Sequence, residues 1–157
     1  MACCTFFGHR NTPEEAKPLL KKVLIQLIEE KNVCIFYVGN NGAFDRMATS
    51  VLNDLKSCYP HIQHTTVLAY LPGKKSAIEL DTPINTIYPD GLETVPRKYA
   101  ILKRNHWMLD RSDYVITYVT QPFGGAAQFK QLAEKRKKVV INLCDNEQQQ
   151  NPFRTVQ

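Results

Sequence analysis

The sequence predicts an α/β fold: a Rossmann-like parallel sheet of about five strands, in the order 3-2-1-4-5, with helices on both faces. Three observations predict it. Short apolar runs alternate with longer stretches whose apolar residues recur at helical spacing, the pattern of strand–helix–strand units joined by right-handed crossovers. The second run, Val33-Cys-Ile-Phe-Tyr-Val38, is apolar almost throughout, as a strand covered on both faces is. Strand-like runs also pass three times into glycine turns, at Gly8, at Gly39 to Gly42 and at Gly124-Gly125.

The elements follow in order. Ala2 to Phe7 reads as the first strand. Thr12-Pro13-Glu14-Glu15 supplies a capping threonine, a proline at the first helical position and a glutamate at the third, which starts a helix at Thr12. Leu19, Leu20, Val23, Leu24, Leu27 and Ile28 form its apolar stripe. After the Val33 strand, Phe44, Met47, Ala48, Val51, Leu52 and Leu55 mark a helix over Ala43 to Ser57, and Thr65 to Leu71 reads as the third strand. From Pro72 to Pro96 the pattern dissolves into prolines, glycines and polar residues, with a turn at Tyr88-Pro-Asp-Gly91, so a long loop is expected there. A helix over Arg97 to Leu109, the Tyr114 to Val119 strand, a helix over Ala126 to Glu134 and the Val139 to Leu143 strand complete the domain. It spans residues 1–143, and 144–157 reads as a flexible tail.

At 157 residues the chain fits one domain able to bury roughly 70% of the surface its unfolded form exposes. Hydrophobic content of 43% and charged content of 22% argue against extensive disorder. No apolar run approaches a membrane span and no secretory leader is legible, so a cytoplasmic protein without membrane contact is expected. The five cysteines include no Cys-x-x-Cys pair and read as reduced thiols; no metal and no cofactor are expected. The net charge of +5 owes much to Lys135-Arg136-Lys137-Lys138, which closes a helix and complements its dipole.

Strand, glycine turn and helix form an anion-binding grammar, because a helix start offers unpaired N–H groups and the positive end of a dipole. With the order 3-2-1-4-5, the first strand and the Tyr114 strand flank the point where strand order reverses, the place where open sheets bind ligands. That arrangement sets Gly8-His9-Arg10 beside Gly124-Gly125-Ala126, with Gly39-Asn40-Asn41-Gly42 next door. His9 and Arg10 are candidates for phosphate or ribose contact, although Arg10 has the alternative of pairing with Glu14 or Asp45. Asp45, in the first turn of the second helix, suits a ribose hydroxyl or a structural cap. Arg104 suits a phosphate or a base, against a surface salt bridge. Thr120 and Gln121 precede the last glycine turn and can donate to a phosphate. Trp107 reads first as core, and Asp110 and Asp113 as capping residues.

Several segments are similar to a known superfamily. Phe7-Gly8-His9-Arg10, Val38-Gly-Asn-Asn-Gly-Ala-Phe-Asp-Arg-Met-Ala48, Arg104-Asn-His-Trp-Met-Leu-Asp-Arg-Ser-Asp-Tyr-Val-Ile116 and Gly124-Gly-Ala-Ala127 resemble the SLOG superfamily. The nearest resemblance is to its small single-domain YspA/YpsA/YoqJ-like branch, over nearly the whole chain to Leu143. The resemblance implies a Rossmann-like sheet with a nucleotide pocket. It does not imply one activity, since the superfamily includes lonely-guy phosphoribohydrolases, DprA-type DNA-processing proteins and sensors of nucleotide-derived signals. A homodimer is implied by analogy with relatives.

The departures from the lonely-guy pattern bear on function. In that resemblance Phe123 stands where the P-G-G-x-G-T-x-x-E motif has proline, Ala127 where it has the third glycine, Gln128 the threonine and Gln131 the catalytic glutamate; Arg104 matches the nucleotide-contacting arginine. An amide cannot stabilise oxocarbenium charge as a carboxylate does. Glu134, about one turn further along, is the remaining catalytic candidate and would require a rotated or shifted helix. The expectation is therefore a protein that binds or senses a nucleotide or a nucleotide-derived small molecule. N-glycosidic hydrolysis is the alternative, and DprA-like single-stranded nucleic-acid binding a second one.

Overall fold

The computed structural model describes residues 2–71 and 85–145. It is a parallel six-stranded sheet with helices on both faces. In chain order the elements are β1 (Ala2–Gly8), α1 (Ala16–Glu30), β2 (Val33–Val38), α2 (Ala43–Cys58), β3 (Gln63–Val67), β4 (Thr86–Ile87), α3 (Ala100–Asp110), β5 (Tyr114–Tyr118), α4 (Gly125–Lys135) and β6 (Val139–Asn142). The strand order is β4-β3-β2-β1-β5-β6, and every neighbouring pair is parallel. The expected order is present at its centre, with one more strand at the edge. That strand, Thr86–Ile87, pairs with Thr66 and Val67 inside the segment expected to be loop. Two residues are too few to print a periodicity.

Consecutive residues of a strand face opposite sides of the sheet, and β1 shows how this builds two cores. Phe6 packs with Phe36 and Phe44 on the side covered by α1 and α2, at ring separations of 6.3 and 6.4 Å. Phe7 points the other way and stacks on Phe129 of α4 at 5.0 Å. Leu20, Leu24, Leu27, Leu52 and Ile62 fill the first core, and Met108, Leu109, Val115 and Ala133 the second. Each fully buried side chain of this size contributes about 1.5–3 kcal/mol, so the two cores fix the sheet edge on which any site depends.

Local boundaries differ from expectation where polar chemistry decides them. Thr12 does not cap α1. Its Oγ1 donates to the carbonyl of His9 at 2.7 Å, and the next residues form i to i+3 turns through Ala16 N–H to Pro13 and Lys17 N–H to Glu14. Regular helix therefore begins at Ala16. β3 starts earlier than expected, at Gln63, because edge-side pairing with β2 tolerates the polar run Gln63-His64-Thr65-Thr66. Arg97 to Tyr99 forms a short 3-10 turn ahead of α3, so that helix starts at Ala100. Residues 72–84 of the expected loop, and 146–157 of the expected tail, lie outside the described residues. No helix among the described residues is long and apolar enough to cross a membrane.

Candidate functional site

Strand order reverses between β1 and β5, which pair in register from Cys4 opposite Tyr114 to Gly8 opposite Tyr118. Beyond their carboxyl ends lies a cavity of about 320 Å³, near the lower end of the roughly 300–1,000 Å³ typical of small-molecule sites. It is lined by Phe6 to Arg10 from the end of β1, Asn41 and Asp45 from the start of α2, Ile101, Arg104 and Asn105 from α3, and Gly125 and Ala126 from α4. Four separate stretches of chain thus meet there.

Two of the glycines are required by packing. A Cβ at Gly8 would sit 2.3 Å from the ring of Phe44, and one at Gly39 would sit 2.7 Å from Asp45 Oδ2 and 2.9 Å from Arg104 Nη1. Gly42 and Gly124 are required by backbone conformation, since both precede helices with φ of 101° and 96°. Gly125 is explained by neither: its φ is ordinary and a Cβ there would meet open space.

The two helix starts differ in what occupies them. At α2, the N–H of Ala43 donates to the carbonyl of Arg10 at 3.0 Å, and Asp45 fills the first turn. At α4 no acidic residue lies in the first turn and no side chain caps it. The N–H groups of Gly125, Ala126 and Ala127 have no partner among the described residues, which leaves the positive helix end open toward the cavity.

Behind this donor end sit two buried charges. Arg104 is 2% exposed: Nε donates to Asn105 Oδ1 at 2.9 Å and Nη1 to the carbonyl of Val67 at 3.0 Å, with Asn40 Oδ1 at 3.5 Å. It joins α3, the end of β3 and the turn after β2, so it is a buried strut of the cavity wall and not a surface ion pair. Burial lowers its pKa, and the Asp45 and Tyr70 charges oppose that shift. Asp45, 8% exposed, accepts the N–H of Asn41 at 2.9 Å through Oδ2. Burial raises its pKa to about 6, against the opposing pulls of the Asn41 N–H, Arg104 and Arg46. Its Oδ1 makes no hydrogen bond to a described residue. Asn41 Oδ1 is buried and likewise unpartnered.

His9 is held at three points. Its N–H donates to the carbonyl of Tyr118 at 3.2 Å, its carbonyl accepts from Thr12, and its Nε2 accepts the Thr120 N–H at 3.0 Å. An accepting Nε2 puts the ring proton on Nδ1. Arg10 is exposed at the rim, and no ion pair to Glu14 or Asp45 is formed.

The remaining candidates lie elsewhere. Thr120 and Gln121 line a second cavity, of about 290 Å³, with Lys130, Gln131 and Asn142. Gly39 and Asn40 stand behind Arg104, outside the lining of the first cavity. Glu134 is on the outer side of α4, paired with Lys130 at 2.7 Å, and lines neither of these cavities. Trp107 packs edge-to-face on Tyr37 at 5.3 Å, with the Arg111 guanidinium 3.9 Å over its ring. Asp113 accepts the Cys3 N–H and Asp110 pairs with Arg136. Among the described residues no three His, Cys, Asp or Glu side chains cluster as a metal site would require. The sequence reading did not single out Ile101 and Asn105, yet with Arg104 and Met108 they occupy positions i, i+3, i+4 and i+7, one face of α3. That spacing was the available signal.

No protein-family model matches the chain, and no curated protein matches it at a significant level. Its fold is similar to the X-ray structure of DNA processing protein A (DprA) from Streptococcus pneumoniae, with a TM-score of 0.63 at 15% identity over 89% of this chain and 49% of that one. It is also similar to DNA processing protein A from Helicobacter pylori, a structure described for its single-stranded DNA binding mode, with a TM-score of 0.59 at 18% identity over 88% of this chain and 63% of that one. The chain spans less than two thirds of either protein. At these identities the likeness is one of fold.

Proposed function

We propose that the crevice between β1 and β5 binds the phosphate of a nucleotide or nucleotide derivative, in a small single-domain protein of the SLOG type. The observation that carries this reading is the open start of α4. The unpaired N–H groups of Gly125 and Ala126, a glycine with no packing reason to lack a side chain, and a first turn without a competing carboxylate border a cavity also lined by Arg104 and the rim residue Arg10. Phe6, Phe7 and Ile101 add an apolar wall for the rest of the ligand. Binding without N-glycosidic hydrolysis is favoured because Gln131 and Glu134 both lie outside this cavity.

Native mass spectrometry of the freshly purified protein, followed by calorimetric titration with AMP, GMP, CMP and UMP, tests the reading. A co-purified nucleotide, or saturable binding that Gly125→Val abolishes, supports it. A clean apoprotein that binds none of the four removes it.

The likeness to the Helicobacter pylori protein favours a second reading, in which the ligand is single-stranded DNA. An oligodeoxynucleotide bound through several phosphates would lose affinity steeply as salt rises. A mononucleotide held by one phosphate would not.

A further inference from the structure

The geometry points to a site selective for ribose over 2-deoxyribose, with the Asp45 carboxylate as the group that reads the ligand's sugar hydroxyls. This inference rests on the nucleotide reading and narrows it to ribonucleotides and their derivatives.

The cavity has two chemically opposite ends. Its donor end is the open start of α4, where Gly125 and Ala126 line the space. Its acceptor end is Asp45. One carboxylate oxygen, Oδ2, is occupied by the Asn41 N–H, while Oδ1 has no hydrogen-bond partner among the described residues. Oδ1 is not among the buried unpaired atoms either, so it keeps access to the cavity that its residue lines. A carboxylate 8% exposed with an unpartnered oxygen carries a desolvation cost that a ligand donor offsets. Asn41 Oδ1 stands in the same wall as a second unpartnered acceptor, so turning it toward a ligand hydroxyl sacrifices no existing bond.

A ligand that satisfies both ends must carry an anion and at least one O–H donor on a short frame. A nucleoside 5′-phosphate does so on one furanose ring, with the phosphate on C5′ and the hydroxyls on the opposite side of the ring. An ionised carboxylate accepts from a diol and offers nothing to a C–H. Removing the 2′-hydroxyl leaves the 3′-hydroxyl alone to serve two unpartnered acceptors, Asp45 Oδ1 and Asn41 Oδ1, and a site that bonds a substrate hydroxyl rejects the analogue lacking it more strongly than an apolar pocket rejects a size change. Arg104 strengthens the effect, because its guanidinium helps to keep the neighbouring carboxylate ionised.

The test is calorimetric titration of the full chain at pH 7.5 with AMP, GMP, CMP and UMP and with their 2′-deoxy counterparts. The expected result is a ribose preference of about tenfold or more for the best-binding base, the scale of one charge-assisted hydrogen bond. In Asp45→Asn that preference should shrink several-fold, while phosphate-dependent binding persists. Should Asp45→Asn fail to fold by circular dichroism, the wild-type ratio decides alone. Equal affinity for the two series overturns the ribose inference and leaves the nucleotide reading standing. A wild-type preference that survives intact in folded Asp45→Asn also overturns it, by removing Asp45 from the recognition. Failure of all eight nucleotides to bind removes both.

Discussion

The imidazole of His9 accepts the backbone N–H of Thr120 across 3.0 Å, and this bond ties the loop after β1 to the loop after β5 at the point where strand order reverses. The bond closes one side of the crevice and fixes the ring with its proton on Nδ1. His9→Ala removes it and leaves the Thr120 N–H to solvent, since Thr120 is exposed. We expect a stability loss of about 0.5–1.5 kcal/mol, the net worth of one such bond. Nucleotide affinity should fall more than that loss implies, because the loop leading into Gly124 is released. Urea denaturation and calorimetry on the same preparation measure both; a variant of unchanged affinity would make His9 scaffold only.

Gly8 and Gly125 both lie at the crevice, yet they respond oppositely to the same change. Gly8→Ala drives a methyl group into the Phe44 ring, at 2.3 Å, and should cost at least about 1–3 kcal/mol through overpacking. Gly125→Ala meets open space on a helical residue, so stability should stay level or rise by up to about 1 kcal/mol. Affinity should nonetheless drop, since the new methyl group occupies the approach to the α4 N–H groups. Thermal melts with and without AMP separate the two effects. A Gly125→Ala protein that binds as tightly as wild type would move the anion away from this turn.

How much of this could be read from the sequence depended on whether a feature repeats along the chain. The Leu20, Leu24, Leu27 stripe and the Val33 run print helix and central strand directly, and the three glycine turns print the carboxyl edge of the sheet. β4 prints nothing, because Thr86 and Ile87 are too short for a period and sit among prolines. The four structural glycines look alike in sequence while serving two different ends: Gly8 and Gly39 admit neighbours, whereas Gly42 and Gly124 turn the backbone. The meeting of Asp45 with Arg104 was also illegible, since nothing in either helix alone announces a partner from the other. For that reason the sequence offers Arg104 as a phosphate or base contact or as a surface salt bridge, and not as the buried strut that it is.

Arg104 therefore should not tolerate truncation. Arg104→Ala empties the space behind the turn after β2, orphans the carbonyl of Val67 and strips Asp45 of its counter-charge. Arg104 and Asp45 form no direct ion pair, so the expected cost is that of leaving a buried acceptor unsatisfied, about 1–3 kcal/mol, with the lost packing added. The double variant Arg104→Ala with Asp45→Asn should recover part of that loss, because the uncompensated charge is gone. Denaturant midpoints of the two singles and the double give the coupling directly. Strict additivity would show that the two side chains act independently.

Asp45 should also leave a mark on the pH dependence of stability. Burial lifts its folded pKa to about 6, above the ordinary 3.8, so the native state holds this proton more tightly than the unfolded chain does. A raised carboxylate contributes its stability at low pH and loses it as pH rises from about 4 to about 6, opposite in sign to a carboxylate held down by a salt bridge. Measured against Asp45→Asn, which cannot titrate, the wild type should therefore lose about 2 kcal/mol between pH 4.5 and pH 7.5. Comparing the two proteins cancels the other carboxylates, whose titration they share. A bound ribonucleotide should move this transition toward lower pH, since hydroxyl donors favour the charged form of the acid. A flat difference between the two proteins across this range would mean that Asp45 is solvated like a surface carboxylate, and the burial that raises its pKa would not hold.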